Sequence, residues 1–519
     1  MKHLHLVALT ALTSALLSMA QPAAPRYVIM MIGDGMGWPH IQLAEYFRGA
    51  CTGAVRLPLH MTSLPAVGIV HTHSADHLIT DSGAGGTALA CGIKTANGFI
   101  AMCTNHAKYA SLAALAQRHG RKAGIVTTDS LVGATPAVFY GHRPDRTLAF
   151  PLAVDLFRSG IDLCVAASTF EDPLGLAIPT NMLCALTNEL ASLVLTGNPA
   201  TNATGVTWRD AHSLTADYGY SWIASSEDWL AAQPGPYKRI AVLDIPHAID
   251  APTGALTLAA VTAKSIQLLD NPTGFFLMVE GARIDKLSHL NDAAAVVRET
   301  LAFDEAVAAA WDFFTNHPDE TLLIVTADHE TGGMTVGQHG NQFALLARQR
   351  GRAALFQSAF ETYRASHSLR SLPARWFSTL IGGPDAGKRA ASFDHMKPLL
   401  RDHFGFDDAE NGLTLAPHEW RLLQRAFELS MEGGPLNPED DLVFSSYRGH
   451  DPVTIAATHI LNAHAGVRWT TMDHSSADVA VFAAGPGSAL FNGIHDNTDI
   501  PRIIMTIMLP GQPFPVRLE

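Results

Sequence analysis

Asp285 and His289 stand four residues apart in RIDKLSHL, and Asp328 and His329 are neighbours in TLLIVTADHE. At a four-residue spacing on a helix, both side chains share one face and can grip one ion. Asp34 lies between Gly33 and Gly35, where missing side chains let backbone and ligand approach closely. His474 stands in WTTMDHSS, just before the last apolar strand segment. Such carboxylates and imidazoles suit zinc, while the carboxylates of Asp34 and Glu280 with the hydroxyl of Thr135 suit magnesium. Any one of them alone has an ordinary explanation. The chain has 25 histidines, and an Asp at a strand end is commonly a turn or cap residue. Six separate segments that carry metal-ligand types are harder to explain that way.

Ser82 raises a second chemistry. It sits in TDSGAGGTALACGIKT, behind Asp81 and ahead of Gly83-Ala84-Gly85-Gly86. Read alone, the stretch is either a flexible linker or a nucleophile on a strand-to-helix turn. In the second case its small residues would leave a helix N-terminus open to a phosphate-sized anion. A metal beside Ser82 would lower its pKa and make it a nucleophile. No G-x-S-x-G elbow surrounds the serine, so a hydrolase triad is the poorer reading.

These residues need a scaffold that brings distant segments to one edge. Four- to eight-residue apolar, β-branched runs supply it: YVIMMI, GIVTT, GFFLMVE, TLLIV and DVAVF, each closed by Gly, Asp or Thr. They read as buried parallel strands. Helical patterns alternate with them, as in YASLAALAQRHG and AAAVVRETLAFDEAVAAAWDFF. The expectation is an α/β three-layer sandwich whose central, mainly parallel sheet is flanked by helices. Ligands bind such sheets beyond the carboxyl ends of the strands, where these acids lie. Between residues 340 and 468 the strand signals fade and amphipathic helices replace them, which marks a cap or lid inserted into the core. Its acidic loop FGFDDAENG lacks the spaced acids of a calcium loop.

Composition narrows the classes. With 519 residues, 47% hydrophobic and 16% charged, the chain can bury a large core. Its net charge of −13 speaks against a general nucleic-acid binder. Residues 1–20, with Lys2, an apolar stretch and Ser18-Met19-Ala20, read as a secretory signal peptide that places the protein in the periplasm or medium. No other segment looks membrane-spanning. The five cysteines permit at most two disulfides.

The segments IGDGMG, TDSGAGGTALACGIKT, ATPAVFYGHRPDR, VEGARIDKLSH, TADHETGG and WTTMDH resemble, in order, the motifs of the alkaline phosphatase family. The resemblance runs from about Arg26 to the end, apart from the insertion, and implies one catalytic domain over residues 24–519. It implies hydrolysis of small phosphate monoesters through a phosphoserine intermediate at a site of two Zn2+ and one Mg2+. Ser82 falls on the nucleophile. Asp285, His289 and His474 fall on the first zinc, and Asp34, Asp328 and His329 on the second. Asp34 also falls on magnesium beside Thr135 and Glu280. Arg146 falls on the arginine that forks onto two phosphate oxygens. The insertion is similar to that of large-loop bacterial members, where it reaches over the partner of a homodimer. The chain departs from the pattern at Gly133, where the family has Asp or His two residues before the magnesium-binding Thr. Lys286 matches a lysine that pairs with that acid. With no carboxylate at position 133, Lys286 is left to face bound phosphate or solvent. A phosphodiesterase or sulfatase of the same superfamily, or a non-catalytic metal or phosphate binder, are the rival readings. Arg146 speaks for monoesters, and retention of a nucleophile speaks against a mere binder.

Overall fold

YVIMMI, FFLMVE and TLLIVT become the strands Tyr27–Ile32 (β1), Phe275–Glu280 and Thr321–Thr326, with every residue buried. Strands covered on both faces are uniformly apolar because each side chain meets a helix layer. The computed structural model describes residues 24–167, 218–337, 342–368, 389–390, 392–407, 413–432 and 450–519. The leader expected at residues 1–20 lies outside them, as does Cys184. Among the described residues, Cys51, Cys91, Cys103 and Cys164 are free thiols, and no helix is long and apolar enough to cross a membrane.

Ten strands form one sheet. After β1 come Ala66–His71 (β2), Lys122–Thr127 (β3), Leu163–Ala166 (β4), Tyr220–Ile223 (β5), Lys238–Val242 (β6), Phe275–Glu280 (β7), Thr321–Thr326 (β8), Val479–Ala484 (β9) and Gly493–Asp496 (β10). Their order is β10-β2-β9-β8-β1-β7-β3-β4-β6-β5. All neighbouring pairs are parallel except those of β9, which runs antiparallel to β2 and β8. The sandwich expected from the sequence is therefore present, but β9 is not one of the parallel strands. Its apolar run fits either direction, because burial on both faces erases the signal of polarity. β2 carries the opposite pattern: buried and exposed residues alternate, as near a sheet edge with one wet face.

The register aligns the strand ends. Ile32 pairs with both Glu280 and Thr326, and Thr127 pairs with Glu280. Asp34, Glu280, Asp328 and the loop leading to Thr135 therefore emerge at one edge of the sheet. The helices that complete this edge are Trp38–Thr52 (α1), Ser82–Cys91 (α2), Ala134–Ala137 (α3) and Arg283–Ser288 (α4). Ala293–Asn316 (α5) backs the sheet, started by Asp292, whose carboxylate accepts from Ala295 N at 3.1 Å.

The region expected to be a cap contains Ala353–Ser366 (α6), Phe393–Phe404 (α7), Pro417–Met431 (α8) and Pro452–Ala465 (α9). Phe356, Phe360, Met396, Leu400, Phe404, Leu423 and Phe427 are buried there. α6, α7 and α8 all pack on α9, which in turn packs on α5. The amphipathic faces of these helices thus find their partners within the chain.

Candidate active site

α2 begins at Ser82, with Asp81 as its N-cap. Asp81 Oδ1 accepts from Ala84 N at 2.9 Å, and its carbonyl accepts from Gly85 N at 2.8 Å. The amides of Ser82 and Gly83, in the first turn, have no acceptor within the helix. The glycines of this stretch are packing residues as much as an opening. A Cβ on Gly85 would lie 2.9 Å from Asp328 O, and one on Gly86 would lie 3.2 Å from Val138 and 3.7 Å from the Thr135 backbone. Small residues therefore bring the serine helix against the strand end bearing Asp328 and the short helix bearing Thr135. A flexible linker is ruled out, since every residue of α2 is buried.

Ser82 Oγ lies 3.2 Å from His329 Nε2. The same nitrogen is 3.4 Å from Asp34 Oδ1 and 3.4 Å from Asp328 Oδ2. A Ser-His-Asp triad needs its acid on the other ring nitrogen. Here Nδ1 instead faces the Thr331 hydroxyl at 3.3 Å, while serine and both acids crowd Nε2. Convergence of two carboxylates and a hydroxyl on one imidazole nitrogen is the arrangement of a metal ligand set. Asp34, Asp328 and His329 each offer an atom within 4.8 Å of the others, as do Asp285, His329 and His474.

The second cluster centres on Asp285 Oδ1, which is 3.4 Å from His289 Nε2 and 3.5 Å from His474 Nε2. The sequence groups His289 with Asp285 and His474; the trio whose atoms all lie within 4.8 Å has His329 in place of His289, and the His329 ring stacks on His474 at a centroid distance of 3.7 Å. Each histidine is aimed from behind. His289 Nδ1 donates to Met472 O at 2.6 Å, and His474 Nδ1 donates to Thr80 O at 2.9 Å. A carbonyl can only accept, so the proton is fixed on Nδ1 and Nε2 is free to ligate. Thr331 Oγ1 donates to Asp285 Oδ1 while facing His329, so one hydroxyl links both clusters. Gly35 makes this approach possible. Its φ is +68°, and a Cβ would lie 2.6 Å from Thr331 Oγ1 and 2.9 Å from Asp285 Cβ.

Beside Asp34, Thr135 Oγ1 lies 3.5 Å from Asp34 Oδ2, and Glu280 accepts from the Thr127 hydroxyl. Burial pushes the Glu280 carboxyl up to about 8, aided by the nearby charges of Asp129 and Asp328. Burial likewise raises Asp34, with Asp328, Asp285 and Glu280 adding repulsion. Burial also works against the Asp285 carboxylate, but hydrogen bonds from His289 and His474 outweigh it and hold Asp285 well below the usual range. Both partners are raised in turn: burial lowers them, and Asp285 more than reverses it. His329 is lowered by burial.

Two buried oxygens, Asp34 Oδ1 and Asp328 Oδ2, have no hydrogen-bond donor. Buried carboxylate oxygens without donors are costly, and a divalent cation between them removes the cost. The donor set fits the metals that its residue types imply: imidazole and carboxylate for zinc, and carboxylate with hydroxyl for magnesium.

Arg146 N–H1 donates to Asp81 Oδ2 at 2.9 Å. The guanidinium is thereby held beside the serine helix, and burial, which would lower its pKa, is outweighed by Asp81. Reading the sequence left Asp81 without a role. Its acid next to a serine at a helix start was the available signal for the cap, but nothing in the spacing announces the arginine 65 residues away. Lys286 has a partner that its motif does not announce: its ammonium forms an ion pair with Asp129, while half of the side chain stays exposed to solvent.

A family model for alkaline phosphatases matches residues 25–159, 220–372 and 444–509. Alkaline phosphatase 4 of Bacillus subtilis is 27% identical over 497 residues, covering 94% of this chain and 89% of that protein. Streptomycin-6-phosphate phosphatase of Streptomyces griseus is 31% identical over 59% of this chain and 74% of its own. Among solved structures, a cold-active alkaline phosphatase from Shewanella sp. superposes with a TM-score of 0.68 at 25% identity, over 93% of this chain and 99% of that one. None of the site residues named above falls in 160–219 or 373–443, the two internal stretches outside the family match. With the match spanning most of its length and the serine, arginine and candidate ligand side chains gathered at one sheet edge, the chain belongs to the alkaline phosphatase family of phosphomonoester hydrolases.

Proposed function

We propose that Ser82 is the nucleophile of a double-displacement phosphomonoesterase with three cation positions. Asp285, His289 and His474 would hold the first zinc, and Asp34, Asp328 and His329 the second. Asp34, Thr135 and Glu280 would hold magnesium. The observation that carries the reading is the approach of Ser82 Oγ to His329 Nε2, between two buried carboxylates with orphaned oxygens. Bound there, the zinc ions would supply Lewis acidity that lowers the pKa of serine and water and offsets charge on the bridging oxygens.

The chain's own residues do the rest. Ser82 Oγ gives up its proton and attacks phosphorus in line, forming the P–Oγ bond as the bond to the leaving group breaks, and the departing oxygen takes up a proton to leave as the alcohol. Water then attacks the phosphoserine from the vacated side, the P–Oγ bond breaks, and the serine regains its proton. Asp81 holds Arg146 so that the remaining face of the guanidinium can fork onto phosphate oxygens. The Ser82 and Gly83 amides at the start of α2 support the equatorial charge. Small phosphomonoesters are the substrate class; the streptomycin-6-phosphate phosphatase among the relatives supports it.

Arg146→Ala tests the monoester reading. Loss of the fork should lower kcat/KM on an aryl monoester by about 10²-fold, and by clearly less on the matching diester, whose third oxygen is already esterified. Equal losses on both would remove Arg146 as the monoester reader.

Residues 340–468 are proposed to act as a lid beside this edge or across a homodimer partner. Residues 1–20 are proposed to direct export to the periplasm or medium.

A further inference from the structure

Gly133 is not glycine for the sake of its backbone. Its φ of −55° and ψ of 154° suit any residue, so the missing side chain calls for another explanation. A Cβ there would lie 3.0 Å from Ser130 O, 3.5 Å from Asp129 Oδ2 and 3.6 Å from Pro136 Cδ. The space that a side chain at position 133 would enter therefore already faces the carboxylate of Asp129.

Asp129 is held in that place from two sides. Its amide donates to Thr127 Oγ1 at 3.0 Å, and that hydroxyl donates to Glu280. Its Oδ1 pairs with the Lys286 ammonium, on the helix that also carries Asp285. The backbone of Asp129 is thus tied to the third-cation residues through Thr127, and its carboxylate to the first zinc's helix through Lys286. Its charge also contributes to the upward shift of Glu280, in line with proximity.

We infer that Asp129 replaces, from four residues upstream, the acid that Gly133 lacks, accepting hydrogen bonds from the water shell of the third cation while Lys286 fixes its orientation. A hard cation bound by only three protein groups keeps several waters, and those waters need outward acceptors. Asp129 is a positioning residue in this account. The inference rests on the cation site assigned above to Asp34, Thr135 and Glu280.

The test is calorimetric titration of Mg2+ into zinc-loaded protein, with zinc content measured in parallel. The wild type should bind one Mg2+ per chain. Asp129→Asn should weaken that affinity by about tenfold or more at unchanged zinc content, the usual effect of losing an outer partner. Adding Gly133→Asp to that variant should restore affinity to within about threefold of wild type, because the new carboxylate enters the same space. Unchanged affinity in Asp129→Asn would overturn the role of Asp129 alone. Weakened affinity that Gly133→Asp does not restore would overturn the claim that the two positions serve one space. A zinc-loaded wild type that takes up no Mg2+ would overturn the cation site and this inference with it. If Asp129→Asn does not fold, Gly133→Asp in the otherwise unchanged chain decides: two acids on one water shell should raise Mg2+ affinity, and no change would contradict the inference.

Discussion

Ser82→Ala should lower turnover of an aryl phosphate monoester by at least about 10²-fold while both zinc positions stay filled. The serine touches the cluster through one atom, Oγ, 3.2 Å from His329 Nε2. Its removal takes away the nucleophile but none of the ligands. The helix should survive as well, because its cap is Asp81 and alanine is a good helix former. Some activity should remain, since water can attack directly at a site that keeps its cations and Arg146. Metal analysis separates the two ways of losing activity. Near wild-type turnover at correct metal content would remove Ser82 from the mechanism.

Stripping the cations should have the other large effect, and its size should depend on pH. Activity should fall by at least about 10³-fold, since Lewis acidity worth several kcal/mol is withdrawn. Stability should fall too. In the metal-free chain the folded-state pKa values of Glu280, at about 8, and of Asp34 lie above those of unfolded carboxylates, near 4. Their contribution is fully present below about pH 4 and is lost as pH rises through the folded values. His289 and His474, also raised, lose theirs in the same direction. His329, lowered by burial, works the opposite way near its ordinary range. Asp285 is depressed, so its contribution is lost only in strong acid. A cation favours the charged carboxylates and cancels the loss. The gap in Tm between loaded and stripped protein should therefore widen by roughly 5 °C or more between pH 5 and pH 9. A constant gap, checked by scanning calorimetry across that range, would show that these carboxylates are not what the cations neutralise.

Most of the proposed cation ligands are legible in the sequence because strand ends punctuate an apolar run with a polar residue. IGDG, VEG and TADH each mark where a buried strand stops, and register does the rest: Ile32, Glu280 and Thr326 fall level. The orientation of β9 was not legible, since a run buried on both faces reads the same in either direction. Asp81 and Asp129 were missed for a different reason. Each acts on a partner distant in sequence, Arg146 and Lys286, and an acid in a loop carries no periodic signal. In the sequence, the glycines after Ser82 suggest an opening for an anion. Their closest neighbours, Asp328 O and Val138, show that close helix packing is the stronger constraint. The helices between residues 340 and 468 were visible as amphipathic patterns, but patterns do not say what covers the apolar face. Here much of it is covered by α9, a helix of the same chain.

The stereochemical course at phosphorus tests the central claim most directly. A monoester made chiral with oxygen isotopes is offered to the metal-loaded protein together with an acceptor alcohol, and the configuration of the transferred phosphoryl group is read by NMR. Two in-line displacements, onto Ser82 and then off it, predict net retention. Net inversion would mean a single direct transfer with no phosphoserine, and would contradict the role given to Ser82.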